Sequence, residues 1–415
     1  MNDFYGIDES KIREYARLAV RAGVNVQPGQ KVVVRCEAQH YAFARMIAEE
    51  AYTAGAGEVV MKYSDTVCTR LYYENVSDEV LTEVPDWMGE SMNYYAREKA
   101  AFISVSGSNP EAYKGLDPKR LQTRSNLLQT AQKEFRDATM MSLVPWTIIA
   151  VPQEDWAKKV FPDLSEEDAM RRLWEYILKT VRIGDGDAVK AWEEHVAFLQ
   201  KKCCLMNSYA FEKLHYKNSL GTDFTVGLAK GHIWEGGSEK AGTGVTFLAN
   251  MPTEEIFTMP DCRVAEGTLV SALPLSLKGT LVKNFKLTFH EGCVTDCAAE
   301  EGEEALKALL ETDEGSRRLG EVAFVPYGSP ISAMKTLFYN TLFDENASCH
   351  FALGRCYPTT VAGGENMSEA ELSAVGGNFS VNHVDFMVGT SDLAITGILA
   401  DGSEVEVFRD GVWAI

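Results

Sequence analysis

The sequence contains no apolar run of about 18 residues, the length a helix needs to cross a bilayer, so no transmembrane helix is expected. Its start, "MNDFYGIDESKIREYARLAV", lacks a basic segment followed by an apolar stretch, which argues against a secretory signal and for a cytoplasmic protein. Positive charge is scarce: 40 lysines and arginines face 60 aspartates and glutamates, for a net charge of -20. Such a surface repels phosphate backbones and anionic lipid, so neither nucleic acid nor membrane is expected as a partner. It would attract a cationic group such as a free α-amine. The nine cysteines (Cys36, Cys68, Cys203, Cys204, Cys262, Cys293, Cys297, Cys349, Cys356) are odd in number and scattered, a pattern of reduced core thiols rather than of a disulfide framework. Cys293 and Cys297 form a CxxxC pair, but no second pair or nearby histidine completes a zinc-ribbon spacing. Short repeats and low-complexity tracts are also missing, so the chain carries little linker.

What is present is an ordinary globular composition, 415 residues with 46% hydrophobic and 24% charged, enough for a large core and for two or three domains. The first half alternates helix and strand patterns. Lys11–Ala22 places Ile12, Tyr15, Ala16, Ala19 and Val20 at helical spacing, and "KVVVRC" follows as a short buried strand. His40–Ala54 reads as the next helix, before the strand "EVVMKY". "AAFISVSGSNP" and "WTIIAVP" repeat the theme of an apolar strand that ends in turn residues. Strands separated by helices of this length predict a mainly parallel sheet. Ser165 with the acids of "SEED" predicts a capped helix start, and a helix over 187–202 leads to a domain boundary at "KKCC". Beyond it the texture changes to short alternating runs broken by glycines, with Asp401-Gly402 and Asp410-Gly411 as tight-turn dipeptides, which predicts a largely antiparallel sheet. The expected fold is thus an α/β domain over 1–203 and an α+β domain over 204–415.

Histidine is sparse, seven in all. His40, His195 and His215 lie in helix-like or boundary stretches with no acidic pattern around them and read as structural. In "NHVDFMVG", extended backbone would put His383 and Asp385 on one side with Val384 and Phe386 packed behind, an arrangement suited either to two metal ligands or to an ordinary half-exposed strand. "LFDENASCHFALGRCY" supplies Asp344, Glu345, His350 and Tyr357. Glu345 and His350 are five apart, so a loop or broken helix must bring them together if both bind; a helix cap and a buried histidine are the alternative. In "RRLGEVAFVP", Glu321 stands at the mouth of an apolar strand, where burial demands a partner: a metal, or equally a lysine or arginine. "ANMPTEEIFTMP" adds Glu254 and Glu255, which extended backbone turns to opposite sides, so that at most one faces a given ligand easily. In "KGHIWEGG", His232 and Trp234 could line a specificity pocket, although a core tryptophan is the plainer reading.

Taken in order, "ANMPTEEIFTMP", "LGEVAFVP", "LFDENASCHFALGRCY" and "NHVDFMVG" resemble the metallopeptidase family of aminopeptidases T and S, across the C-terminal half and more weakly across the α/β half. The resemblance implies a metal site in the C-terminal domain, with two divalent ions held by Glu255, Glu321, His350, His383 and Asp385, and with Glu345 and Tyr357 close by. Such ligands suit Zn, Co or Mn without strong selection. The implied activity is removal of N-terminal residues from peptides that have a free amine, through a water shared by the two ions, in a homodimer. Adjacency to Glu255 makes Glu254 the candidate proton acceptor, with capping or pairing elsewhere as its alternative. The competing readings are another dinuclear hydrolase, such as a deacylase or phosphoesterase, and a non-catalytic metal-binding protein. The lack of a glycine-rich phosphate cradle or of a basic cluster near the motifs counts against phosphate substrates.

Overall fold

The computed structural model describes residues 4–184, 186–277 and 280–415. They form two compact units, one of residues up to Glu194 together with Ser238–Pro252, the other of His195–Gly237 and Thr253–Ile415. The first unit holds four parallel strands in the order Glu58–Ser64, Lys31–Glu37, Ala101–Ser106, Trp146–Ala150, with helices between them in sequence. Lys31–Glu37 is an inner strand, and its Val32, Val33 and Val34 are all fully buried, which is why the sequence there is continuously apolar rather than alternating. Ser165 caps the helix Glu166–Thr180 by accepting the Asp168 N–H at 3.1 Å, with three acids in the first turn where the helix dipole favours them. Ser238–Pro252 returns to this unit through the outer strand: the Ile148 N–H donates to the Ala249 carbonyl at 2.8 Å, and the Met251 N–H to the Ile148 carbonyl at 3.0 Å.

The division between the units falls inside the helix Ala188–Tyr209, the same helix that contains the expected boundary at 203/204. That helix continues past Lys202, where the sequence pattern placed its end. Cys203 and Met206 extend its buried stripe, and neither glycine nor proline intervenes before Ala210 adopts a left-handed conformation with φ 48°.

In the second unit an antiparallel sheet of eight strands runs in the order Cys293–Ala298, Lys286–His290, Pro260–Val270, Asp223–Leu228, Lys213–Lys217, Ala394–Ile398, Glu404–Arg409, Val412–Trp413. The Asp410-Gly411 turn closes its last hairpin with both residues at positive φ, 50° and 72°, as a tight hairpin turn requires. A five-stranded antiparallel sheet, Glu235–Gly236, Ile256–Thr258, Leu319–Phe324, His350–Gly354 and His383–Met387, packs on the larger one. Their shared core is aromatic: Tyr216 lies 4.9 Å from Phe351 between ring centroids, Phe224 5.4 Å from Phe351, and Trp234 4.5 Å from Phe324. Among the described residues no helix is long and apolar enough to cross a membrane.

Candidate metal centre

The polar face of the five-stranded sheet is built by strand register. Glu321 pairs with Ala352, and Ala352 with Asp385, so these three stand in one row across three strands. Paired residues share a face, and so do residues two apart, which puts His350 and His383 on that face as well. The intervening Val322, Phe351, Leu353 and Phe386 point the other way into the core. Ala323 and Ala352 floor the space between the polar groups with methyl groups only. The register depends on an irregularity between Leu319 and Glu321, where a Cβ on Gly320 would lie 2.3 Å from the Gly354 carbonyl oxygen. Glycine at 320 is therefore what lets Glu321 come level with Ala352. Glu255 precedes the strand Ile256–Thr258 and has the parity of Phe257, opposite Ala323, hence of the polar face.

Two clusters result, Glu255–Glu321–His350 and Glu321–His383–Asp385, each with its ligating atoms within 4.8 Å of one another. His350 Nε2 is 3.0 Å from Glu255 Oε2 and 3.8 Å from Glu321 Oε1, while His383 Nε2 is 3.3 Å from Glu321 Oε2 and 3.4 Å from Asp385 Oδ1. Glu321 thus offers one oxygen to each cluster. Its partners are the two histidines; among the described residues no lysine or arginine comes within ion-pair distance of Glu255, Glu321 or Asp385. Both imidazoles are oriented from behind. His350 Nδ1–H donates to the Ser348 carbonyl at 3.0 Å and His383 Nδ1–H to the Arg355 carbonyl at 2.7 Å. A carbonyl can only accept, so each Nδ1 carries hydrogen and each Nε2 turns toward carboxylate oxygens. Glu255 Oε2 is buried and has no hydrogen-bond partner despite its 3.0 Å approach to His350. Carboxylate oxygens and imidazole nitrogens converging in one buried space fit a divalent cation as their common partner.

Charge in the cluster points the same way. Burial works against a proton on His350, yet Glu255, Asp385 and Glu321 outweigh it and hold its pKa at about 10. His383 is likewise raised, with burial outweighed by Tyr357, Asp385 and Glu321. Burial also raises Glu321 and, with Asp385 and Glu255 beside it, Glu345. Without a metal, then, the site collects protons. A group whose pKa rises on folding stabilises the fold fully below its unfolded value, about 6.5 for histidine, and loses that contribution as pH climbs through its folded value. The metal-free protein is therefore expected to lose several degrees of Tm between about pH 6.5 and the His350 value of about 10. Divalent metal should flatten that slope, because a bound cation replaces the protons. Calorimetry across the range with chelator and with metal checks it; parallel slopes in the two series would contradict it.

Glu345 lies in the short turn Glu345–Ala347 and, with Asp385, lines a narrow cleft that also involves Asn340 and Thr341. It belongs to neither cluster, though its carboxyl is close enough to feel Asp385, Glu255 and Glu321. Asp344 beside it accepts the Phe338 and Asn340 N–H groups and closes a loop. Tyr357 stacks edge-on to His383 with centroids 4.9 Å apart. His383 draws the phenol pKa down, but burial and the carboxylates of Glu321, Asp385 and Glu345 raise it further, so Tyr357 keeps its hydrogen as a donor. Glu254 is buried, 5% exposed, and is not part of either cluster. Its N–H donates to Asn346 Oδ1 at 2.7 Å, and its Oε2 lies 3.5 Å from His195 Nε2. His40 donates to the Gly107 carbonyl and His215 pairs with Asp223, both away from these groups. Of the three histidines read as structural, only His195 comes near a candidate residue, and no local signal in "WEEHVAF" announces it. Trp234 is core, 1% exposed, and His232 Nδ1–H donates to the Ala229 carbonyl.

Residues 8–413 match the family described as thermophilic metalloprotease (M29). The chain belongs to that family. Aminopeptidase AmpS of Bacillus subtilis (strain 168) is 44% identical to it over 404 residues, 97% of this chain and 98% of the relative. Aminopeptidase 2 of Geobacillus stearothermophilus is 42% identical over 406 residues, 98% of each. Among solved structures, wild-type AmpT from Thermus thermophilus matches with a TM-score of 0.92 at 38% identity, covering 98% of this chain and 100% of that one. A thermophilic metalloprotease requires a metal cofactor, and the polar face of the five-stranded sheet offers a donor set that fits one.

Proposed function

We propose that this metal-dependent aminopeptidase removes N-terminal residues from peptides with a free amine by means of two divalent ions. The observation that carries the two-ion reading is Glu321, whose two carboxylate oxygens serve two clusters, each completed by a histidine and a second acid. Glu255 and His350 would hold one ion and His383 and Asp385 the other, with Glu321 available to both and Glu345 close by. Mixed imidazole and carboxylate donors admit Zn, Co or Mn. The bound ions would supply Lewis-acid polarisation of the scissile carbonyl and a water acidic enough to act as nucleophile near neutral pH. The chain's own groups do the rest. Tyr357, kept protonated, donates a hydrogen bond to the developing oxyanion. Glu254, buried next to Glu255 and tied through Asn346 to the segment that carries Glu345, accepts the proton of the nucleophile. The net charge of -20 favours approach of a cationic amine. We further propose that the enzyme works in the cytoplasm as a homodimer.

The test compares an aminoacyl substrate bearing a free α-amine with its N-acetylated twin, before and after chelation and with metal content measured. Only the free-amine form should turn over, chelation should abolish the rate, and readdition of divalent ion should restore it. Equal cleavage of the acetylated form would shift the assignment to a deacylase-type hydrolase. Full metal content with no hydrolysis of either would favour a binding protein.

A further inference from the structure

Glu254 poses a physical problem that its neighbours answer. A carboxylate 5% exposed must be held by donors, and a group that is to receive a proton must also be held in one place. The segment that carries it is gripped from two sides. From one side the fully buried Asn346 accepts the Glu254 N–H through Oδ1 at 2.7 Å, while its Nδ2 donates to the Leu342 carbonyl at 3.1 Å and reaches Glu345 Oε1 at 3.5 Å. From the other side comes His195, on the helix Ala188–Tyr209. Its Nε2 lies 2.8 Å from the Thr253 carbonyl oxygen and 3.5 Å from Glu254 Oε2, with the imidazole side chain 11% exposed.

The Thr253 carbonyl can only accept, so Nε2 carries the hydrogen and the tautomer is set by the backbone. One N–H then faces two acceptors, a main-chain carbonyl and the carboxylate of the next residue. That places His195 where it can set both the path of the Thr253–Glu255 segment and the direction of the Glu254 carboxylate. Glu255 leaves the same segment toward the metal cluster, where it meets His350 at 3.0 Å rather than His195. We infer that His195 is the positioning residue for Glu254: its Nε2–H fixes the Thr253 carbonyl, and the same ring edge, 3.5 Å from the Glu254 carboxylate, holds that carboxylate ready for the proton. The inference rests on the reading of Glu254 as proton acceptor. Among the described residues His195 belongs to neither metal-ligand cluster.

The experiment is a double-substitution cycle on the metal-loaded full chain with a free-amine aminoacyl substrate. His195→Ala should lower kcat about 10–100-fold, the range seen when a group supporting an active-site residue is removed, with KM and metal content unchanged. His195→Gln keeps an N–H donor in the place of Nε2 and should recover most of kcat. In the Glu254→Gln background His195→Ala should produce little further loss, because its effect runs through the missing carboxylate. Should H195A fail to fold, His195→Met fills the volume without the donor and takes its place. Wild-type kcat in H195A together with an inactive E254Q would overturn the positioning role and leave Glu254 standing. A loss that is fully additive with E254Q, or that comes with lost metal, would also overturn it. Near-normal turnover of E254Q would remove instead the reading on which the inference rests.

Discussion

Replacing Glu321 by glutamine is expected to abolish activity by about a thousandfold or more and to empty both metal positions, whereas His383→Ala should cost one ion and leave the other. The reason is connectivity. Glu321 Oε1 faces His350 and Oε2 faces His383, so it is the one side chain common to both clusters. Stabilisation of developing charge by bound metal is worth several kcal/mol, and each 1.4 kcal/mol is tenfold in rate. Loss of activity here is separable from loss of fold. Without metal, burial penalises the Glu321 charge, His383 beside it favours that charge, and Asp385 and Glu255 oppose it. A neutral amide of the same shape removes that burial penalty but also one of the acids facing the two protonated histidines, so metal-free E321Q should stay folded and melt no higher than the metal-free parent. Elemental analysis with kinetics reads the first part and calorimetry in chelator the second. E321Q with two ions bound would refute the shared-ligand reading.

Glu254→Gln is expected to lower kcat by about 10²–10⁴-fold, the contribution of a positioned general base, with metal content unaltered. The isostere keeps the packing of a residue that is 5% exposed and keeps the main-chain bond to Asn346, so only the capacity to accept a proton is lost. Glu255→Gln is the informative partner, because Glu255 has the parity of the polar face and sits 3.0 Å from His350; its loss should lower metal content as well as rate. Two adjacent acids thus separate cleanly in experiment. Turnover of E254Q within a few-fold of the parent would remove Glu254 from the chemistry and leave it a buried partner of His195.

Much of this was legible along the chain where the deciding physics is local. The continuous apolar run around Val32–Val34 marks an inner parallel strand, because both faces of such a strand are covered. The period of two in "NHVDF" puts His383 and Asp385 on one side and Val384 and Phe386 on the other, and the core indeed takes Phe386 fully and Val384 in part. Opposite parity of Glu254 and Glu255 follows from the same rule, and the two side chains do go to different partners, His195 and His350. The end of the helix Ala188–Tyr209 was less legible: the expected helix stops at Lys202, although Cys203 and Met206 continue the buried stripe.

By itself the sequence determined which residues alternate, which segments are helix or strand, and which acids and histidines are available to a metal. Those are consequences of backbone periodicity and side-chain chemistry over a few residues. Only the tertiary structure decided which of them meet. Glu321, Ala352 and Asp385 fall in one row because three strands distant in sequence pair in a register that Gly320 permits. His195 reaches Glu254 because a helix carries it there from 59 positions upstream in a segment that shows no pattern of its own. Ser238–Pro252 rejoins the first unit by hydrogen bonds to Ile148. Pairing partners and packing neighbours are set by the burial of the whole core, and no short-range pattern encodes them.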